Sequence, residues 1–260
     1  MPGAWAGTAE AYASSFALLC AGTVEPLLDA LDERMPSRGT LLDVGTGPGT
    51  LARAAAARGW DVSASDPEPG MLAVAASLGG GIRYASAALP SLPEPDGSVD
   101  AVTANFVVNH THRPRAAIAE LVRVARGAVA LTIWPHRRSV LNGLWSGIVA
   151  DAGAISPPGT TVAADDDIDR SEGGLASVLR DAGLHDVAVA TLEWEWVIDP
   201  APLWSAVTAG VATIGTTYLA QDDATRAGLA AAYRERTGAL VGADGLLRFP
   251  SAGLLGIGDC

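Results

Sequence analysis

The chain has 260 residues, 49% of them hydrophobic, and its 29 acidic and 17 basic residues give a net charge of −12. This apolar content fills a sizeable core, while a chain so acidic, whose basic charge is all arginine, is an unlikely partner for nucleic acid or an anionic membrane surface. No apolar run approaches the roughly 20 residues of a membrane span, and the N-terminus does not resemble a signal peptide, so we expect a soluble, cytoplasmic protein. The sequence leaves the oligomeric state open.

From residue 39 to residue 134, short apolar runs alternate with alanine-rich amphipathic stretches. The apolar runs predict strands over 39–44, 60–65, 82–86, 99–104 and 128–134. The stretches between them predict helices over 51–58, 69–77 and 115–125. Strands that alternate with helices in this way predict a doubly wound parallel α/β sheet with helices on both faces.

The pattern changes after Pro135. Helices are predicted over 140–152, 172–181, 202–218 and 222–240. A long strand is predicted over 187–198, and a last strand over 246–257 that Pro250 breaks. The acidic run at 165–169 lies in a polar loop, where a solvated surface is a better interpretation than a metal site, so no metal is predicted.

The most informative stretch is a glycine turn directly after the first strand. Gly45, Gly47 and Gly49 have the spacing G-x-G-x-G, and Thr50 stands where a dinucleotide-binding loop requires glycine. Asp43 precedes the turn, where its charge would be unfavourable beside a pyrophosphate. An acid there suits a ligand that carries an ammonium and a sulfonium group.

A second acid, Asp66, ends the second strand about 20 residues beyond the turn, where a carboxylate can accept both hydroxyls of a ribose. Alternatively, Asp66 and Pro67 only terminate the strand. The glycine turn before it favours the ribose role.

These features resemble the class I S-adenosylmethionine-dependent methyltransferases, in particular the small-molecule enzymes similar to the ubiquinone-biosynthesis methyltransferases. The resemblance is strong over 40–134 and weaker from 172 onward. It implies an enzyme with a Rossmann-like, seven-stranded, mostly parallel sheet whose last strand is antiparallel, and with S-adenosyl-L-methionine as cofactor. Within one domain (1–260), it implies a core of about 36–135, 170–199 and 243–260, and a helical cap of about 1–35, 136–169 and 200–242.

The resemblance also implies a set of cofactor-binding residues, which are Asp43, Gly45, Thr46, Gly47 and Gly49 around the methionine part, Asp66 at the ribose, Met71 at the adenine, Asn105 and Phe106 beneath the sulfonium, and Tyr12 on a first helix that closes over the cofactor. Such proteins usually hold the adenine amino group with an aspartate, but Ala85 occupies that position here. Ser86 or backbone groups could replace the aspartate.

The acceptor side is less defined by the sequence. His110 follows the fourth strand and is the candidate general base, the alternative being a histidine that only shapes the pocket. Aromatic residues that could wall the acceptor are Tyr12, Phe16, Trp145, Trp204 and Tyr218. Since no basic cluster accompanies them, a neutral small organic acceptor is favoured over a phosphorylated one.

The leading functional hypothesis is methyl transfer to oxygen in the tailoring of a secondary metabolite. Two alternatives keep the fold but not the reaction, namely a non-methylating cyclisation step and a non-catalytic cofactor-binding module. A nicotinamide-dependent dehydrogenase is disfavoured by Thr50.

Overall fold

A computed structural model of the protein describes residues 5–137, 139–159 and 162–260. Seven strands form one sheet, namely β1 (Thr40–Val44), β2 (Asp61–Ser65), β3 (Arg83–Ala85), β4 (Val99–Asn105), β5 (Ala125–Ile133), β6 (His185–Ile198) and β7 (Leu247–Asp259). The spatial order is β3-β2-β1-β4-β5-β7-β6, and β7 runs antiparallel to both of its neighbours. The predicted seven-stranded sheet with one antiparallel strand at the end of the chain is therefore confirmed.

The α-helices of the described residues are α1 (Ala9–Ala13), α2 (Phe16–Cys20), α3 (Val24–Arg34), α4 (Thr50–Ala57), α5 (Pro69–Ser77), α6 (Pro114–Val124), α7 (Val140–Asp151), α8 (Glu172–Asp181), α9 (Pro200–Thr208), α10 (Ala212–Leu219) and α11 (Asp223–Gly238). None of them is long and apolar enough to cross a membrane. The predicted cap includes residues 1–4, 138, 160 and 161, which lie outside the described residues.

Helices cover both faces of the sheet, as the alternation of strands and helices predicts. On one face, α6 and α8 bury an aliphatic stripe against the central strands. On the other, Leu27, Leu28 and Leu31 of α3 are fully buried against the sheet together with residues of α4. The sequence groups residues 1–35 with the cap, but α3 packs on the sheet because its leucines lie on one side of the helix.

A third cluster of buried side chains gathers α7, α9, α10 and α11, together with one end of β6 and β7. We call these four helices the cap helices. The single helix predicted over 202–218 is two helices, because Gly210 ends α9 with a φ of +92° and α10 begins two residues later.

The predicted break at Pro250 is also wrong, since β7 is continuous. Pro250 pairs with Glu195 of β6, whereas β5 accompanies β7 only from Leu254 to Asp259. At Pro250 the strand therefore has a neighbour on one side only, where the missing N–H of proline is tolerated.

Candidate active site

The glycine turn leads from β1 into α4. Gly45, Gly47 and Gly49 have φ values of +66°, +54° and +77°, a region that residues with a side chain rarely adopt. A Cβ on Gly45 would also lie 2.5 Å from Val107 Cγ2. The backbone N–H of Thr46 donates to the carbonyl of Ser65 at 2.9 Å, which holds the turn against the end of β2.

Asp43 lies at the base of this turn with only 1% of its surface exposed. Its carboxylate accepts the hydroxyls of Thr46 (2.6 Å) and Thr103 (2.9 Å). Burial raises the pKa of this carboxyl to about 6, and the two hydroxyls only partly offset that effect. Asp43 is therefore mostly ionised at pH 7, but its pKa is close to that pH.

Asp66 lies across the turn from Asp43. Its two oxygens accept the backbone N–H groups of Gly47 and Glu68, each at 2.9 Å. Burial raises the pKa of this carboxyl, and the two backbone donors partly offset the increase. Among the described residues, neither Asp43 nor Asp66 forms an ion pair with a basic side chain. Two buried acids without a cationic partner are costly, and they suit a site for a positively charged ligand.

A small cavity of about 40 Å³ lies between the turn and the N-terminal helices. Six of the predicted cofactor residues line it: Tyr12, Asp43, Gly45, Thr46, Gly47 and Asn105. The remaining lining residues are Ala17, Cys20, Ala21, Val24, Pro48, Thr50 and Leu51. Cys20 and Ala21 could not be predicted, because the segment around them has the pattern of an ordinary apolar helix and contains no motif that points to a ligand.

Asn105 ties the N-terminal segment to the sheet. Its Oδ1 accepts the hydroxyls of Thr23 (2.7 Å) and Thr132 (2.5 Å), and its Nδ2 donates to the carbonyl of Cys20 (3.1 Å). This network fixes the amide of Asn105 and joins the ends of β4 and β5 to the segment after α2.

The other five predicted cofactor residues lie outside the lining of this cavity, namely Gly49, Asp66, Met71, Ser86 and Phe106. Phe106 has a φ of +56°, and its ring stacks on Trp134 with centroids 3.8 Å apart. Met71 is buried in α5. Ser86 is exposed just after β3, where the carbonyl of its neighbour Ala85 accepts the backbone N–H of Asp66 at 3.3 Å.

His110 ends a short 3₁₀ turn after β4 and is exposed at the surface. The ring of Trp5 meets the imidazole edge-on, with centroids 5.6 Å apart, and meets Tyr12 in the same way at 5.4 Å. Although the residue is partly exposed, neighbouring protein atoms desolvate one side of the imidazole and lower its pKa below the usual value for histidine. Nothing in the sequence around Trp5 indicates this contact.

The aromatic residues considered as acceptor walls separate into two groups. Trp145, Trp204 and Tyr218 pack within the cap helices, where the first two stack on Tyr233. Phe16 and Tyr12 belong to the N-terminal helices, and Phe16 lies 5.8 Å from Trp196 between ring centroids. Within the described ranges, no three His, Cys, Asp or Glu side chains are grouped as ligands for a metal.

Comparison with known proteins agrees with this geometry. Residues 42–132 match the methyltransferase domain family. An uncharacterized methyltransferase of Mycobacterium sp. (strain JLS) is 38% identical over 118 residues, which are 44% of this chain and 47% of that protein. The demethylmenaquinone methyltransferase of Renibacterium salmoninarum is 36% identical over 93 residues, which are 36% of this chain and 39% of that protein. The matched region therefore spans less than half of these relatives.

Solved structures extend the likeness to the whole fold. The phosphoethanolamine N-methyltransferase 2 of Haemonchus contortus, solved with phosphomonomethylethanolamine and S-adenosylhomocysteine, has a TM-score of 0.52 and is 17% identical. It covers 90% of this chain, which corresponds to 52% of that chain. At this identity the likeness concerns the fold alone. The family match identifies a methyltransferase domain over residues 42–132, and the glycine turn and the sheet order have the class I arrangement.

Proposed function

We propose that the protein methylates a small organic acceptor, that the methyl group goes to a hydroxyl oxygen, and that the product is a secondary metabolite. The observation that carries the methyltransferase assignment is the pair of buried, uncompensated carboxylates on the glycine turn. The proposal that a hydroxyl oxygen accepts the methyl group depends on His110. The proposal that the product is a secondary metabolite depends only on the composition of the chain.

The chemistry of this donor set fits the cofactor. S-adenosylmethionine, when bound, supplies an activated methyl group on a positively charged sulfur. Asp43 would contribute its negative charge toward that cationic ligand, and Asp66 would accept the ribose hydroxyls. Gly47 leaves open space on its ligand side, since an added Cβ would meet only the ring of Tyr12, at 3.7 Å.

The cavity at the glycine turn is too small to hold the cofactor. Pockets for ligands of this kind measure roughly 300–1,000 Å³, whereas this cavity holds about 40 Å³. The wall formed by α1, with the ring of Tyr12 against the turn, must therefore move for the cofactor to enter. We propose that α1 and the cap helices form a cover that closes again over the bound cofactor and acceptor.

His110 would act as the general base for the acceptor hydroxyl. Its lowered pKa keeps the imidazole neutral at pH 7, and a neutral imidazole can take the hydroxyl proton. The edge-on contact with Trp5 would orient the ring. No covalent link between acceptor and chain is needed, so the other task of these residues is to hold donor and acceptor in line and exclude water.

The cofactor assignment is tested by calorimetry with S-adenosylhomocysteine and with NAD. We expect S-adenosylhomocysteine to bind in the micromolar range, about −7 to −8 kcal/mol, and NAD not to bind. Saturable binding of NAD without binding of S-adenosylhomocysteine would contradict the proposal.

The role of His110 is tested by His110→Ala once an acceptor is known. We expect the rate to fall roughly 10²–10⁴-fold with little change in cofactor affinity, because the imidazole would act on the acceptor. The rise of the wild-type rate with pH, through a pKa below the usual value for histidine, should vanish in the variant. His185→Ala, at the exposed start of β6, is the matched control. An unchanged pH profile in His110→Ala would reduce His110 to a pocket-shaping residue.

A further inference from the structure

Three aromatic side chains contact one another near the cofactor cavity. Two of them directly follow β4 and β5, and the third lies within β6. Phe106 stacks on Trp134 with centroids 3.8 Å apart and planes 16° from parallel. Trp194 lies 6.2 Å from Phe106 and 6.3 Å from Trp134. We call these three residues the aromatic platform. Phe106 is buried, whereas Trp134 and Trp194 are half-buried.

The backbone is shaped to hold these rings. Phe106 adopts a φ of +56°, which is strained for a residue with a side chain, and its ring lies against β7. A Cβ on Gly253 would lie 2.9 Å from the Phe106 ring, so glycine is needed there. A Cβ on Gly22 would likewise collide with the indole of Trp194. Strain of this kind persists where surrounding contacts enforce it, and it is concentrated at functional sites.

The platform is connected along the chain to the lining of the cofactor cavity. Phe106 directly follows Asn105, and Gly22 directly follows Ala21, and both preceding residues line the cavity. The platform is also tied to the candidate base, because the backbone N–H of Trp134 donates to Asn109 Oδ1 at 2.9 Å and His110 is the next residue. An acceptor must lie next to both the methyl group and the base, and the platform is adjacent to both places.

A groove of about 310 Å³ continues outward from Trp194, between Arg137 and the strands β6 and β7. This volume is within the range of small-molecule pockets. The charges on its rim are Glu193, Glu195 and Arg137, and Arg137 is already paired with Glu193 at 2.8 Å. Glu195 lies 3.7 Å from Arg248, so both arginines are already paired with acids, which disfavours an anionic acceptor.

We propose that the aromatic platform and this groove form the acceptor site, and that it takes a flat, uncharged, hydroxyl-bearing aromatic molecule stacked on Trp134. Flat rings gain both apolar burial and offset stacking on tryptophan, which a puckered ring of the same size cannot match. This inference rests on the proposed function and specifies its acceptor.

Three probes separate ring shape from charge. They are 2-naphthol, its saturated analogue decahydro-2-naphthol, and 2-naphthyl phosphate, each titrated calorimetrically into the protein saturated with S-adenosylhomocysteine. We expect 2-naphthol to bind at least tenfold more tightly than either of the other two. Equal binding of flat and saturated rings, no binding of 2-naphthol, or tighter binding of the phosphate would overturn the proposal.

Variants of the platform locate the site. Trp134→Leu should weaken 2-naphthol binding at least tenfold, and Trp134→Phe should stay within threefold of wild type because it keeps a flat ring. Trp60→Leu, which directly precedes β2 near the opposite edge of the sheet, is the matched control and should bind as wild type does. Equal loss in Trp134→Leu and Trp60→Leu, or no loss in Trp134→Leu and in Trp194→Leu, would overturn the assignment.

Binding of S-adenosylhomocysteine by each variant reports that the protein is folded. It also distinguishes the two proposals. If wild type fails to bind S-adenosylhomocysteine, the proposed function fails; if it binds S-adenosylhomocysteine but discriminates none of the three probes, only the acceptor site fails.

Discussion

The two sides of the proposed active site keep their shape by different interactions. On the cofactor side, buried carboxylates accept hydrogen bonds from nearby hydroxyl and backbone groups, and all the residues involved lie on β1, β2, β4 and the loops that follow β1 and β2. On the platform side, rings stack on rings and lie over glycines, with few polar contacts. A single substitution removes a charge or a hydrogen bond completely, whereas a smaller side chain removes only part of a stacking surface. Substitutions on the cofactor side should therefore have the larger and more abrupt effects.

The largest effect is expected for Asp66→Ala. The variant loses the acceptor for the ribose hydroxyls, and charge-assisted hydrogen bonds contribute roughly 1.5–3 kcal/mol each. It also frees the N–H of Gly47, so the turn loosens. We expect S-adenosylhomocysteine to bind about 10²–10⁴-fold more weakly by calorimetry. Asp61→Ala, an exposed acid at the other end of β2, is the control, and an equal loss in both variants would contradict the assigned role.

Asp43 should produce an intermediate effect that depends on pH. Its carboxylate must be ionised to attract a cationic ligand, and its pKa is raised to about 6. Affinity for S-adenosylmethionine should therefore be constant above pH 7 and fall by up to about tenfold per unit below pH 6. Asp43→Asn should bind weakly at every pH and lose this dependence. A wild-type affinity that does not change between pH 5 and pH 8 would contradict the interpretation.

The same residue predicts an opposite effect on the stability of the ligand-free protein. Because the pKa is higher in the folded than in the unfolded state, the folded state binds more protons between about pH 4 and pH 6, and ionisation of Asp43 lowers stability as the pH rises through this window. At pH 7.5, Asp43→Asn should raise the free energy of unfolding by up to about 3 kcal/mol. Urea denaturation of both proteins at pH 4 and pH 7.5 measures the difference.

The smallest effect should come from Gly47→Ala. An added Cβ has room, but the φ of +54° strains any residue with a side chain by about 1 kcal/mol. We expect a loss of cofactor affinity of about fivefold, whereas Gly47→Val should lose far more because its branched side chain reaches the ligand space. Equal affinities for Gly47→Val and wild type would place the cofactor elsewhere.

The cofactor side could be predicted from the sequence because its signals are local. Asp43, the three glycines and Asp66 lie within one strand-turn-helix-strand unit, where the residue types themselves require the turn and supply the charge. The helix over 69–77 and the helix over 172–181 coincide with their predicted bounds for a similar reason, since Pro69 begins the first and Ser171 caps the second.

The platform side could not be predicted in this way. Trp134 and Trp194 look like ordinary strand residues, and only the placement of β7 between β5 and β6 brings Trp194 to Phe106. The positive φ of Phe106 is enforced by the hydrogen bonds of its N–H to Thr132 and by its fit over Gly253, both of which are distant in sequence. The one available signal was that Asn105, Phe106 and Trp134 end neighbouring parallel strands and must meet at the same edge of the sheet.

The reactivity of the Cys20 thiol should report the movement of α1 away from the cofactor cavity. This thiol lines the cofactor cavity 3.6 Å from the hydroxyl of Tyr12, and burial raises its pKa to about 11, so it is almost entirely protonated and shielded while α1 is in place. Cys260 is exposed at the last residue of the chain and supplies an internal reference for the reagent. The ratio of the alkylation rates of these two thiols therefore measures how often α1 is displaced. A bound cofactor should slow alkylation of Cys20 and leave that of Cys260 unchanged.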